Sequence, residues 1–100
     1  MLNPLVNYQV NCKEAEAALL AGMMLNNSVI DLVAQKIKAD DFYSTKHRVI
    51  FETILSVRRH GLDADLVSVK YQLETEGKLK TCGGVDYLME ILETIPSVES

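Results

Sequence analysis

The sequence predicts an all-α fold, a compact irregular bundle of about five short helices. Three observations carry that prediction. Apolar residues recur at i, i+3 and i+4 in stretches separated by Asn, Ser, Asp, Gly or Pro. The one segment with strand-like alternation, Leu66-Val67-Ser68-Val69, has no second segment to pair with. The 100 residues suit a single core, and no repeat, heptad run or low-complexity tract divides them.

Residues 1–12 read as an N-terminal tail and 13–97 as the globular domain. Pro4 argues against an early helix, and Leu5, Val6 and Tyr8 are the side chains that would dock the tail. The first helix is predicted over Lys13–Leu25, with Ala15, Ala18, Leu19, Gly22 and Met23 on its buried face. Glu14 and Glu16 at its start suit the positive pole of the helix dipole. Gly22 costs roughly 1 kcal/mol against Ala inside a helix, which points to close approach by a neighbouring helix. Asn26-Asn27-Ser28 breaks the chain, and a second helix follows over Val29–Lys38 with Ile30, Val33, Ala34 and Ile37 inward.

The segment Asp40–Phe51 is the organiser of the bundle. Ser44 or Thr45 can cap a helix, because a side-chain oxygen accepts from an unpaired first-turn amide. Phe42 and Tyr43 can fold back as a hydrophobic staple, and Asp40 and Asp41 bring negative charge to the same end. The third helix then runs Thr45–His60, with His47, Ile50, Phe51, Ile54 and either Val57 or Leu55 buried, and Gly61 ends it. Asp63 or Asp65 caps a fourth helix, Leu66–Glu76, whose inner line is Leu66, Val69 and Leu73 and whose stop is Gly77. After a connector through Cys82, Gly83-Gly84 opens a fifth helix carrying Tyr87, Leu88, Ile91, Leu92 and Ile95 at helical spacing, and Pro96 ends it.

Composition narrows the function. Net charge is −4, with five basic and five acidic residues in 1–50 but five and nine in 51–100. Phosphate backbones are bound through many Lys and Arg contacts, so direct nucleic-acid binding is disfavoured. The longest apolar run, Ala17 to Leu25, falls short of the ~20 residues that span a bilayer, and no signal segment opens the chain; a cytoplasmic protein without membrane contact is expected. Cys12 and Cys82 lack metal-ligand spacing and read as free thiols in a reducing compartment.

Catalytic motifs are missing. Gly83-Gly84 is not a phosphate loop, since neither a preceding strand nor a Gly-Lys-Ser/Thr terminus is present. His47 is the best acid–base candidate, yet a lone inward His is more simply a hydrogen-bonded core residue. Lys46, Arg48, Arg58, Arg59 and His60 make the third helix the most basic element. Without interleaved aromatics, a solvated face is favoured there over a phosphate stripe. Residue chemistry alone therefore reaches a helical interaction module.

The order of motifs goes further. Glu14-Ala15-Glu16 with Leu19-Leu20-Ala21-Gly22-Met23-Met24-Leu25 resembles the opening helix of the N-terminal domain of DnaB-type bacterial replicative helicases. The resemblance continues through Asp41-Phe42-Tyr43, His47, Ile50-Phe51, Gly61, Asp65-Leu66-Val67-Ser68-Val69, Leu73-Glu74, Gly77-Lys78-Leu79, Gly83-Gly84, Tyr87-Leu88 and Ile95-Pro96-Ser97. It covers 13–97 and departs where many relatives place a proline before the first helix, here Val10-Asn11-Cys12-Lys13.

This resemblance implies the globular part of that N-terminal domain, followed in the parent by a helical hairpin and an ATPase domain that this chain lacks. It implies a non-catalytic assembly and docking role in the collar of a hexamer. The partners would be the helicase-binding domain of primase, a helicase loader and neighbouring helicase subunits, with little direct DNA binding. No cofactor is expected in this chain; ATP and Mg belong to the parent's motor. Tyr87 is the first partner-binding candidate, joined by Ile91 and Ile95 if their stripe is not fully buried, although Tyr87 as a core residue stays open. Gly22, Phe42, Tyr43, His47 and Phe51 are read as scaffold. Two other readings remain: the helicase-binding domain of a primase, which shares a similar helical fold, and a small nucleic-acid-binding helical module.

Overall fold

The apolar run Ala17 to Leu25 forms all but the first turn of the first helix, α1 (Lys13–Leu25). The chain's structure is a computed structural model that describes residues 13–95. The expectations for the tail, Cys12, Pro96 and Ser97 lie outside the described residues. Four more helices follow: α2 (Ile30–Lys36), α3 (Thr45–Arg59), α4 (Leu66–Thr75) and α5 (Gly84–Leu92), with no strand among the described residues. Short 3-10 turns at Asn27–Val29, Ala39–Asp41 and Lys80–Cys82 fill the links.

The predicted bundle is therefore the observed one, but the buried face of α1 differs. Glu16, Ala17, Leu20, Ala21, Met23 and Met24 face the interior, while Ala15, Ala18, Leu19 and Gly22 are only half-buried. The reason is physical: this helix is apolar almost all round, so periodicity does not single out a stripe. Gly22 also lacks the role expected of it, because a Cβ built there would meet nothing within 4 Å.

α2 is shorter than predicted. Ile37 leaves the helix with extended backbone (φ −129, ψ 139) and in doing so reaches the core, where it is 3% exposed. α3 starts as expected, with the Ser44 hydroxyl accepting from the His47 N–H, and it buries His47, Ile50, Phe51, Thr53, Ile54 and Val57. Val57 rather than Leu55 completes the stripe. Phe42 and Phe51 pack with ring centroids 4.9 Å apart at the centre of the core. The staple, however, uses Phe42 alone, for Tyr43 is 66% exposed. At the residue before the cap the side chains of neighbours point apart, so one can enter the core and its successor cannot.

α4 is capped by Asp65, whose carboxylate accepts from the Ser68 N–H while the Ser68 hydroxyl accepts from the Asp65 N–H, each at 2.9 Å. Gly61 and Gly77 take the left-handed backbone that ends α3 and α4 (φ 80 and 72). Asn27 ties the loop before α4 to the end of α1. Its amide donates to the Met23 and Ala64 carbonyls, and its carbonyl accepts from the Ala64 N–H at 2.7 Å. α5 ends at Leu92, earlier than its apolar spacing predicts. Ile95 follows the last turn and packs half-buried against the core. No single described helix is long and apolar enough to cross a membrane, and α1 is bent by 111° from the segment that follows it.

Candidate functional site

The polar centre of the domain is built by three helices around two side chains without solvent contact. Glu16 of α1 and His47 of α3 are both 0% exposed. The His47 Nδ1–H donates to Glu16 Oε1 at 2.7 Å. The Glu16 carboxylate also accepts from the Tyr43 N–H through Oε2 and from the Ser44 N–H through Oε1 at 3.3 Å. A carboxylate from one helix thus caps the approach to the N-terminus of another, where amides are unpaired and the dipole favours negative charge.

On its other side His47 faces Tyr87 of α5, with the Tyr87 Oη 2.7 Å from Nε2. Both Glu16 oxygens already accept backbone N–H bonds, so Nδ1 is the donor toward them and Nε2 accepts from the Tyr87 hydroxyl. Burial first, and then the Glu90 and Glu16 carboxylates, push the Tyr87 phenol up from its ordinary value, which preserves that O–H donor. Each member of the Tyr87–His47–Glu16 chain is thereby satisfied. The Lys46 ammonium lies 4.4 Å from the Tyr87 ring centroid, a cation–π contact on the exposed side of the same group.

Gly83 fixes where Tyr87 stands. Its backbone is left-handed (φ 96), and a Cβ there would lie 2.6 Å from the Tyr87 Cβ. Only glycine lets α5 begin so close to its own first turn. Beside Tyr87, a groove of about 330 Å³ opens between α1 and α5, with Lys13, Glu14, Glu90 and Thr94 at its polar edges.

The predicted partner residues separate in this setting. Tyr87 is half-buried, joining the interior network to the groove. Ile91 is 1% exposed and belongs to the core, so the condition attached to it is not met. Ile95 is half-buried beyond the helix end. The basic residues of α3 are mostly engaged locally rather than lined up for phosphates. Arg48 Nε donates to the Phe42 carbonyl, and Arg58 Nη1 donates to the Leu62 carbonyl and pairs with Asp63 at 3.2 Å. Among the described residues no group of three or more His, Cys, Asp or Glu is arranged to hold a metal ion. Cys82 is a buried free thiol whose pKa burial raises.

Known proteins can be set beside this geometry. A profile of the DnaB-like helicase N terminal domain matches residues 8–100. The chain belongs to that family. The DnaB-like N-terminal domain is shared with proteins named replicative DNA helicase DnaB. That of Buchnera aphidicola subsp. Acyrthosiphon pisum is 39% identical over 84 residues, which is 84% of this chain and 18% of that one. The Haemophilus influenzae protein is 37% identical over the same share of each. The crystal structure of the N-terminal domain of DnaB helicase from Mycobacterium tuberculosis superposes with a TM-score of 0.80 at 33% identity, covering 84% of this chain and 58% of that one. The chain thus spans less than a fifth of the length of these curated relatives. The match is to helicases, so the reading as a primase domain is set aside.

Sequence reasoning missed Glu16 and Asn27. For Glu16 a signal existed: it continues the line Leu20–Met24 at four-residue spacing, an acid on an apolar stripe. Asn27 carried no comparable mark, because its partner Ala64 lies 37 residues away.

Proposed function

We propose that this DnaB-like domain is the non-catalytic assembly and docking module of a replicative DNA helicase. It binds the helicase-binding domain of primase, contributes to contacts with a helicase loader, and joins neighbouring subunits in the collar of a cytoplasmic hexamer. In this reading residues 13–97 are the globular part of the N-terminal domain, with a helical hairpin and an ATPase domain elsewhere in the parent. ATP and Mg act in that motor domain, and this chain takes no cofactor and makes little direct contact with DNA. The observation that carries the proposal is the family match over residues 8–100 together with the DnaB-like backbone.

Tyr87 and Ile95 are the partner-binding residues of the proposal, at the α1–α5 groove and just beyond α5. An aromatic anchor with an apolar body and a polar tip is the kind of group that dominates interface energy. The test is titration calorimetry with a primase helicase-binding domain. Binding is expected, and Tyr87→Ala should weaken it by at least about tenfold. No heat of binding to primase would remove the docking assignment. A salt-sensitive shift of single-stranded DNA at modest protein concentration would instead favour the nucleic-acid module.

A further inference from the structure

The geometry points to Glu16 and His47 as positioning residues that preset Tyr87 at the α1–α5 groove and couple that groove to the N-terminus of α3. The inference rests on the docking reading for what occupies the groove, but the coupling itself belongs to the free domain. Three facts on different helices carry it. The Tyr87 hydroxyl meets His47 Nε2 at 2.7 Å, and the opposite nitrogen of that ring meets Glu16 at 2.7 Å. The same carboxylate holds the Tyr43 and Ser44 amides at the start of α3. Glu16 and His47 have no solvent contact, so water does not replace the bond between them, and the part-buried outer links on either side are joined through it.

A ring held only by packing could turn about χ1 and χ2. Here one turn is selected by a single acceptor, Nε2, and the backbone below is held by Gly83, which leaves no room for a Cβ. The phenol is therefore pre-organised for a partner, and less freedom is lost when the groove is filled. By linkage, a partner that holds the phenol in place must also hold the Glu16 end. The device is a hydrogen-bond relay between a surface groove and a helix start on the far side of a buried pair.

Amide hydrogen exchange on the full chain tests this in two arms. In the free domain, Tyr87→Phe should speed exchange of the Tyr43 and Ser44 amides by about tenfold beyond any change at core amides of α3 such as Ile54. It should also move the His47 Nε2 nitrogen resonance, which a packing role would leave in place. Unchanged Tyr43 and Ser44 exchange in Tyr87→Phe overturns the inference, whether or not any partner binds. In the second arm, saturating primase helicase-binding domain should slow those two amides in the wild type and lose that effect in Tyr87→Phe. If primase protects them equally in both forms, the relay is not the route and the inference falls. If the first arm succeeds and primase does not bind, the docking assignment fails while the relay stands.

Discussion

Two helix starts in this domain use the same chemistry in opposite settings. At α4, Asp65 caps its own helix from the adjoining residue, exposed to water, with Ser68 returning the bond. At α3, Ser44 caps from the adjoining residue, but a second acceptor, Glu16, reaches in from 28 residues away and is buried completely. A local cap stabilises one helix. The remote cap also decides how α1 sits against α3, and through His47 it reaches α5. The same carboxylate chemistry is thus worth more where water is excluded and more groups depend on it.

The largest expected effect comes from breaking the remote cap. Glu16→Ala strands the His47 Nδ1–H in the interior and removes the acceptor of the part-buried Tyr43 and Ser44 amides. A buried polar group left without its partner costs about 1–3 kcal/mol, and two capping bonds are lost with it, together a large share of the ~5–15 kcal/mol that holds such a domain together. Urea denaturation should show that drop, or no folded baseline. A loss near 1 kcal/mol would reduce Glu16 to the rank of an ordinary cap.

Next comes the outer end of the relay. Tyr87→Phe keeps the ring and the Lys46 contact but leaves Nε2 without its donor, an expected loss of about 1–3 kcal/mol in the same denaturation experiment. The alkaline limb provides a second reading. Burial raises the folded Tyr87 pKa, so its contribution is present below the unfolded phenol value and is lost as pH rises through the folded one. Stability of the wild type should therefore begin to fall above pH ~10, and the fall should be shallower in Tyr87→Phe. Identical alkaline slopes would count against a half-buried, hydrogen-bonded phenol.

The difference between the two caps also explains what could be read in the sequence. Asp65 was legible as one of two candidate caps, beside Asp63, because its partner is three residues away, and Ser44 likewise beside Thr45; Gly61 and Gly77 were legible as stops, their roles being fixed by neighbours. All five helices among the described residues were legible, as was the core line His47, Ile50, Phe51 and Ile54 on α3. The Glu16–His47–Tyr87 chain was not, because 31 and 40 residues separate its members and no local rule joins them. Tyr43 was misassigned for a related reason. Its aromatic ring reads as core, but what the fold uses is its backbone N–H, which any residue except proline supplies.

The exposed cap ranks third. Asp65→Ala removes the acceptor for the Ser68 N–H but leaves that amide open to water, so about 1 kcal/mol should be lost. Together with Glu16→Ala this measures the contrast directly. If the two losses were equal, burial would contribute nothing to the remote cap.

The smallest effect has the opposite sign and concerns the helix that carries Glu16. Gly22 was expected to admit a neighbouring helix, yet a Cβ there has open space within 4 Å and the position is only half-buried. Its backbone is helical, so glycine there confers unfolded-state entropy and no packing. Gly22→Ala should raise stability by about 0.5–1 kcal/mol through propensity alone. The two faces of α1 then part cleanly. Its exacting position is Glu16, set by partners at the start of α3 and on it, while Gly22, six residues along, tolerates an added methyl. A destabilised Gly22→Ala in thermal or urea melts would mean that α1 packs more tightly on that side than the open space around Gly22 allows, and that its specificity is not concentrated at the buried acid.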